Sequence, residues 1–421
     1  MSHKFESSAQ TMGTQVSRRN TCRLCEASEL ELVLKLTPTP IVDAYFSEKR
    51  TQEIYPLDVF LCRHCGHVQL LDVINPEILF GNYTYVTSGS PGLVEHFRHY
   101  ADDILRFASA PSNSLVVEIG SNDGTLLKFF KEQGMNVLGI DPARKIAEKA
   151  NEAGLTTLPN FFTSDLAQKV RREHGPATLV CANNAFAHSD NLSDIVDGVR
   201  HLLAQDGIFV FEASYLLDTI EKMVFDFICN EHLSYHSVKP LDKFLKKHGL
   251  ELIEVIPIAT HGGSIRGLAQ PLGGPRSASP TIGKMIDLET KLGLDRPGVF
   301  KEYANKIESV KNQFLSTMSK LTAQGKMIAG YGASATSTVL IYHFNLGNIL
   351  SFLVDDNSSK LNLFSPGYHI PVLSSNALYE RKPDYVVVLA WRFAEMIREK
   401  HNRYLKKGGH FIIPLPTVQF V

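Results

Sequence analysis

A chain of 421 residues exceeds what one ordinary core organises, so two or three domains are expected. A hydrophobic share of 44%, a charged share of 21% and a formal net charge of −1 describe a globular protein, exclude a polycationic nucleic-acid binder and call for no membrane partner. The opening MSHKFESSAQTMGTQVSRRN lacks the apolar centre of a secretion signal, and no run of about 18 apolar residues follows, which predicts a cytoplasmic protein with a disordered leader over residues 1–20.

The first patterned element is a pair of knuckles, Cys22-Arg-Leu-Cys25 and Cys62-Arg-His-Cys65. Four thiolates complete a closed tetrahedron around structural zinc and leave no open position for catalysis, so residues 21–80 are expected to form a zinc-binding domain of short strands. The wide interval between the knuckles leaves room for a small subdomain. Disulfides are the alternative, and His64 or His67 could replace one cysteine ligand. Cys181 and Cys229 stand alone and are expected to be buried apolar groups.

An aromatic turn, Tyr83-Thr84-Tyr85-Val86-Thr87-Ser88-Gly89-Ser90, leads into a helix expected over residues 92–108. From Ser114 strands alternate with helices: LVVEIG, MNVLGID, ATLVCANN and GIFVFEAS read as strands, Gly134 stops one helix and SDIVDGVRHLL forms another. That alternation predicts a parallel sheet with helices on both faces, a Rossmann-like domain over residues 81–255. Phe300, Tyr303, Ile307, Val310, Phe314 and Leu321 mark the apolar stripe of a connecting helix. KMIAGYG, NILSFLVDD, DYVVVLA and HFIIPLP then repeat the strand pattern, so residues 256–421 are expected to form a second, smaller doubly wound unit. The fold class is α/β: two Rossmann-like doubly wound sheets plus a small amino-terminal zinc-binding domain.

The turn Gly120-Ser121-Asn122-Asp123-Gly124 carries the most chemistry. A full GxGxxG loop sets backbone amides against a pyrophosphate. This turn is GxxxG instead, with Glu118 before it and Asp123 inside it, and carboxylates beside a pyrophosphate are unfavourable. The pattern argues against NAD and for a ligand without phosphates. An adenosyl sulfonium fits: its ammonium suits Glu118 or Asp123, the glycines let backbone approach, and Asp141 at the end of the next strand is placed for a ribose diol. S-adenosylmethionine is therefore the expected cofactor, held by Glu118, Gly120, Asn122, Asp123, Gly124, Asp141 and Pro142, with Asn183, Asn184 and His188 lining its methionine end. A plain strand-to-helix turn is the structural alternative.

VVEIGSNDGTLL, ANNAFAH, NEHLSY, THGGSIR and SPGYHIPV, preceded by the double CxxC, together resemble the S-adenosylmethionine-dependent sugar C-methyltransferases that act on nucleotide-linked 4-keto sugars in deoxysugar pathways. The resemblance spans nearly the whole sequence, from Cys22 to Pro414. It implies three domains, with the sugar nucleotide between the last two, and a reaction in which a base removes the proton next to a ketone and the enolate attacks the cofactor's methyl group. In Glu231-His232-Leu233-Ser234-Tyr235, His232 is the candidate base, since imidazole titrates near neutrality. Glu231 is the candidate for positioning or polarising the sugar, and Tyr83 or Tyr85 for donating to the enolate oxygen. His261-Gly262-Gly263-Ser264-Ile265-Arg266 reads as a tight turn that brings backbone to a ligand, with Arg266 available for a phosphate. Gly330-Tyr331-Gly332-Ala333-Ser334-Ala335-Thr336 resembles a dinucleotide loop, which the family reading assigns to the nucleotide-sugar site through Tyr331 and Ser334.

Two stretches depart from the family pattern. Cys229 and Asn230 stand where members commonly carry Tyr-His, so a phenol that could stabilise the enolate is absent. Thr336 stands where members often carry lysine, so the phosphate partner must be Arg266 or another base. The alternatives are an O- or N-methyltransferase of another small metabolite, or a non-catalytic zinc-dependent binding protein.

Overall fold

The computed structural model describes residues 15–81, 83 and 85–421, and the protein builds three units. The first contains β1 (Val16–Arg18), β2 (Leu30–Thr39), β3 (Tyr55–Cys62), β4 (Val68–Leu70) and β5 (Asp72–Ile74), followed by the short helix α1 (Pro76–Phe80). Along β3, Tyr55, Leu57, Val59 and Leu61 alternate inward, the period of a half-buried strand, and deliver Cys62 to the end of the sheet. The leader expected over residues 1–20 needs correction at its end: β1 pairs antiparallel with β5, Val16 opposite Ile74, whereas residues 1–14 lie outside the described residues.

The second unit starts with α2 (Pro91–Ala108) and runs through β6 (Leu115–Ile119), α3 (Thr125–Glu132), β7 (Asn136–Ile140), α4 (Arg144–Glu152), β8 (Thr157–Leu158), α5 (Ser164–His174), β9 (Ala177–Asn183), α6 (Leu192–Leu202) and β10 (Leu203–Ser214). These five strands are parallel, and the apolar runs of β9 and β10 are buried, as strands covered on both faces require. After α7 (Leu216–Glu221), the two-residue strand β11 (Ser234–Tyr235) leaves this sheet and pairs with β4 of the first unit. Then come α8 (Val238–Lys247), β12 (Leu250–Ile258) and β13 (Ser264–Pro271).

The sheet runs on past the boundary expected between residues 255 and 256. The strands β12 and β13 form a hairpin, and β13 pairs antiparallel with β10, so the sheet is mixed and continues to Pro271 in the order β12-β13-β10-β9-β6-β7-β8. A tight hairpin reverses direction without a crossover helix, which is why the βα alternation stops before the sheet does.

The helices α9 (Pro280–Leu292) and α10 (Pro297–Ala323) connect to the third unit. The apolar stripe of α10 is buried at Phe300, Tyr303, Ile307, Phe314 and Leu321, and the helix packs against β2. The last unit contains β14 (Ile328–Tyr331), α11 (Ala335–His343), β15 (Leu353–Asp355), β16 (Val372–Ser374), β17 (Tyr385–Val388), β18 (His410–Ile413) and β19 (Gln419–Phe420). Its sheet order is β16-β15-β14-β17-β18-β19, parallel except for β19. Strand order reverses beside β6 in one sheet and beside β14 in the other, the switch points at whose carboxyl ends ligands bind. Among the described residues, no helix is long and apolar enough to cross a membrane.

Candidate active site

The ends of β6 and β14 open into one cavity of about 1180 Å³, whose wall takes residues from all three units. On the central side it is lined by Glu118, Gly120, Asn122, Asp141, Pro142, Asn183, Asn184 and His188. Asp141 accepts the backbone N–H of Asn122 at 2.8 Å and that of Ala143 at 2.9 Å, which fixes its carboxylate at the lip of the glycine turn. The Asn122 amide ties down the aromatic turn: its oxygen accepts the Thr87 N–H at 2.9 Å and its nitrogen donates to the Tyr85 carbonyl at 2.9 Å. Glu118 is buried with Oε2 unpartnered, and burial, followed by Asp141 and Asp123, pushes its carboxyl well above the usual range. Both side-chain polar atoms of Asn183 are likewise buried without partners.

Two expected cofactor residues are off this wall. Asp123 spends its oxygens on Thr125, whose hydroxyl donates at 2.6 Å, and on the Ser88 N–H at 3.0 Å, so it caps α3 and holds the aromatic turn instead of meeting a ligand. Gly124, at φ 75°, faces Leu155, where an added Cβ would come within 2.6 Å. Gly120 stays on the wall, but its lack of a side chain makes room for Ala185, 2.6 Å from where a Cβ would stand.

Glu231 and His232 line the same cavity, with Tyr83, Tyr85 and Cys229. His232 is stacked between Phe227 and His188, with ring centroids at 4.7 and 5.0 Å. Its Nδ1 lies 2.7 Å from the Phe227 carbonyl, an acceptor only, which assigns the proton to Nδ1 and leaves a lone pair on Nε2. Burial pulls the imidazole pKa below its ordinary value, so the ring is neutral near pH 7. Glu231 is 6% exposed, and its Oε2 accepts from the Tyr83 hydroxyl at 3.4 Å. Burial, then the Asp43 carboxylate, raises Glu231 to about 7, against smaller lowering by Tyr83 and Lys360. Asn230 is buried behind the wall with its amide unpartnered.

The substrate-side expectations divide. His261 and Ser334 line the cavity, and Ser334 caps α11 by accepting the Ser337 N–H. Gly262 and Gly263 are off the wall: an added Cβ on Gly263 would strike Asp218 at 2.3 Å, and one on Gly262 would press on Arg392 and Val224. These glycines serve close packing within the protein. Tyr331 also turns away, donating to Asp356 at 2.7 Å and meeting His401 at 3.0 Å.

Arg266 is not available for a phosphate. It sits in β13 opposite Glu212 of β10, 2.7 Å from the carboxylate, with its guanidinium over the Tyr100 ring. Arg266→Ala should leave the buried Glu212 carboxylate with His96 as its remaining side-chain partner and cost about 3–5 kcal/mol. An unchanged urea-unfolding midpoint would contradict that pairing.

The cations that do reach the wall are Arg392, Lys360 and Lys149. Arg392 follows β17, pairs with the buried Asp226 at 3.0 Å and places Nη2 3.4 Å from the Thr336 hydroxyl. Its position just beyond a parallel strand was the available sequence signal. Asp355 repeats the arrangement of Asp141: at the end of β15 it accepts the N–H of Ala333 at 2.6 Å and of Asn357 at 2.7 Å.

Away from the cavity, Cys22, Cys25, Cys62 and Cys65 bring their sulfurs within 4.8 Å of one another. The Cys22–Cys65 and Cys25–Cys62 separations are each 3.6 Å, far beyond a disulfide and close to the spacing of about 3.8 Å for four sulfurs about 2.3 Å from one zinc ion. His67 takes no part, since its Nε2 meets the Ser234 hydroxyl at 3.2 Å.

Comparison with known proteins agrees with this architecture. Residues 22–80 match the family model "Putative zinc binding domain", residues 94–255 a methyltransferase domain and residues 259–416 a C-methyltransferase C-terminal domain, the last starting inside the β12–β13 hairpin. C-methyltransferase NovU of Streptomyces niveus is 34% identical over 404 residues, covering 95% of this chain and 96% of NovU. Two solved structures are an S-adenosylmethionine-dependent methyltransferase from Clostridium acetobutylicum ATCC 824 (11% identity, 43% of this chain, 92% of that chain, TM-score 0.35) and a magnesium protoporphyrin IX methyltransferase from Synechocystis PCC 6803 with bound SAH (20% identity, 42% of this chain, 84% of that chain, TM-score 0.33). The near full-length match and the three domain models decide it: the chain belongs to the C-methyltransferase family, S-adenosylmethionine-dependent enzymes with an amino-terminal zinc-binding domain.

Proposed function

We propose that this enzyme methylates a nucleotide-linked keto-deoxysugar at the carbon next to its ketone, with His232 as the base. The observation that carries this reading is the His232 ring, held by stacking and by Phe227 so that an unprotonated Nε2 is left on a cavity wall shared with Glu231 and Tyr83. The imidazole takes the proton, and the C–H electron pair moves into the enolate. Glu231 and the Tyr83 phenol are the groups available to the developing oxygen charge.

The cofactor end of the wall fits S-adenosylmethionine. The unpartnered Glu118 oxygen and Asn183 amide are what a ligand ammonium and carboxylate would satisfy, and Asp141 is available to ribose hydroxyls. Asn122, Pro142 and Asn184 would complete the hold. When bound, S-adenosylmethionine supplies an electrophilic methyl group. For the nucleotide end, the α11 amino terminus with Ser334 and Thr336, the Arg392 guanidinium and Asp355 offer anion and hydroxyl partners, with Arg392 in place of the lysine missing at Thr336.

Purified protein incubated with S-adenosylmethionine and a panel of nucleotide-linked keto sugars is expected to yield a product one methyl heavier by mass spectrometry. In deuterium oxide without the cofactor, the proton next to the ketone should exchange, which separates C-methylation from methyl transfer to oxygen or nitrogen. Unchanged mass across the panel would sink the sugar reading.

A further inference from the structure

Residues from all three units share the cavity wall with Glu231: Tyr83 from the turn before α2, Cys229 from its own loop, Asp43 from the zinc unit, and Lys360 and Asp355 from the end of β15 and the loop after it. Asp43 and Lys360 form an ion pair, Nζ to Oδ1 2.8 Å, with side chains 19% and 12% exposed. The pair is held rigidly. The Val42 carbonyl accepts the Thr338 hydroxyl at 2.7 Å, the Tyr45 hydroxyl meets the Ser334 carbonyl at 3.4 Å, and Phe46 bridges to Phe364. Lys360 also lies 4.6 Å from the centre of the Tyr45 ring.

An ion pair so far out of water contributes little net stability, because desolvation offsets the Coulomb attraction. Its field acts strongly on other charges in the same low-dielectric wall. We propose that the Asp43–Lys360 pair governs when Glu231 holds a proton, so that the zinc unit and the carboxy-terminal unit act jointly on the reacting group. The anionic Asp43 favours protonated Glu231, and the cationic Lys360 opposes it. A protonated Glu231 donates a hydrogen bond to the ketone oxygen as charge develops there, as a carboxylic acid kept neutral in an apolar site can. No proton need be transferred. That donor takes the place of the phenol absent at Cys229. Asp43 and Lys360 are positioning residues, and their role rests on Glu231 serving the proposed reaction.

The test is a carbon-13 NMR titration of the full-length, zinc-loaded protein labelled at its glutamate carboxyl groups, with the Glu231 signal assigned by its loss in Glu231→Gln. The expected midpoint is about 7. Asp43→Asn should lower it and Lys360→Met should raise it, each by about 1 unit. Opposite shifts support the proposal. Loss of fold would drop both midpoints toward about 4.3, the ordinary glutamate value, so two downward shifts, or none, overturn it. The readout needs no substrate: opposite shifts together with a failed sugar panel would leave the electrostatic coupling standing and remove only the sugar reading.

Discussion

His232→Asn is expected to lower kcat about 10²–10⁴-fold while leaving calorimetric binding of S-adenosylhomocysteine unchanged. The shorter amide can still donate toward the Phe227 carbonyl, as Nδ1 does, but it has nothing in the place of Nε2. The loop keeps its shape and the proposed base is gone. Deuterium exchange next to the ketone should fall by the same factor, because it depends on the same proton removal.

The pH profile carries the sign of both groups. Burial lowers the His232 pKa, so the proposed base is lost only when pH falls through that lowered value, and the acid limb lies below the ordinary histidine range. Glu231, raised to about 7, loses its proton as pH rises, so the alkaline limb belongs near 7 and should vanish in Glu231→Gln. Equal exchange rates in His232→Asn and the parent protein would assign the base elsewhere.

Removal of zinc by a strong chelator is expected to abolish methyl transfer before it abolishes cofactor binding. Four cysteines hold the first unit together through the ion, and structural zinc contributes about 10–16 kcal/mol of apparent binding energy to folding in small zinc domains. The consequence reaches His232 through the backbone. The Leu233 carbonyl accepts the Leu70 N–H at 3.0 Å and the Arg23 guanidinium at 3.3 Å, and β11 pairs with β4 immediately after. Arg23 is buried between the two cysteines of the first knuckle and pairs with Asp190 at 3.0 Å.

Melting of the zinc unit therefore releases the strand that follows the proposed base, and it removes Asp43 from the cavity wall as well. One face of the central sheet packs on a core of its own, so the sheet, with Glu118 and Asp141, should still bind S-adenosylhomocysteine. Stoichiometric zinc release with full retention of activity would contradict this coupling. Cys62→Ser should reproduce the chelated state.

Features written in a few consecutive residues could be read without a structure. The paired CxxC knuckles, the GxxxG turn after an apolar run, Asp141 at the next strand end and the apolar stripe of α10 all depend on local spacing, and the fold keeps them. Glu231 and His232 were legible as candidates through the family motif NEHLSY; what holds them was not. Asp123 and Asp141 look alike in sequence, yet one caps a helix and the other lines the cavity.

Arg392 reaches the cavity wall and Arg266 does not, for the same kind of reason. The face on which a strand residue stands is set by pairing register with a partner distant in sequence, here Glu212 opposite Arg266. Likewise Ser234 finds Gln69, and Asp43 finds Lys360, only when units distant in sequence close on one another. Sequence alone showed the paired cysteine knuckles, the glycine turn and the alternation of strands with helices, because each is encoded by short-range periodicity and spacing. Tertiary structure decided which charges face the cavity, because long-range pairing and desolvation choose the partner of each charged group.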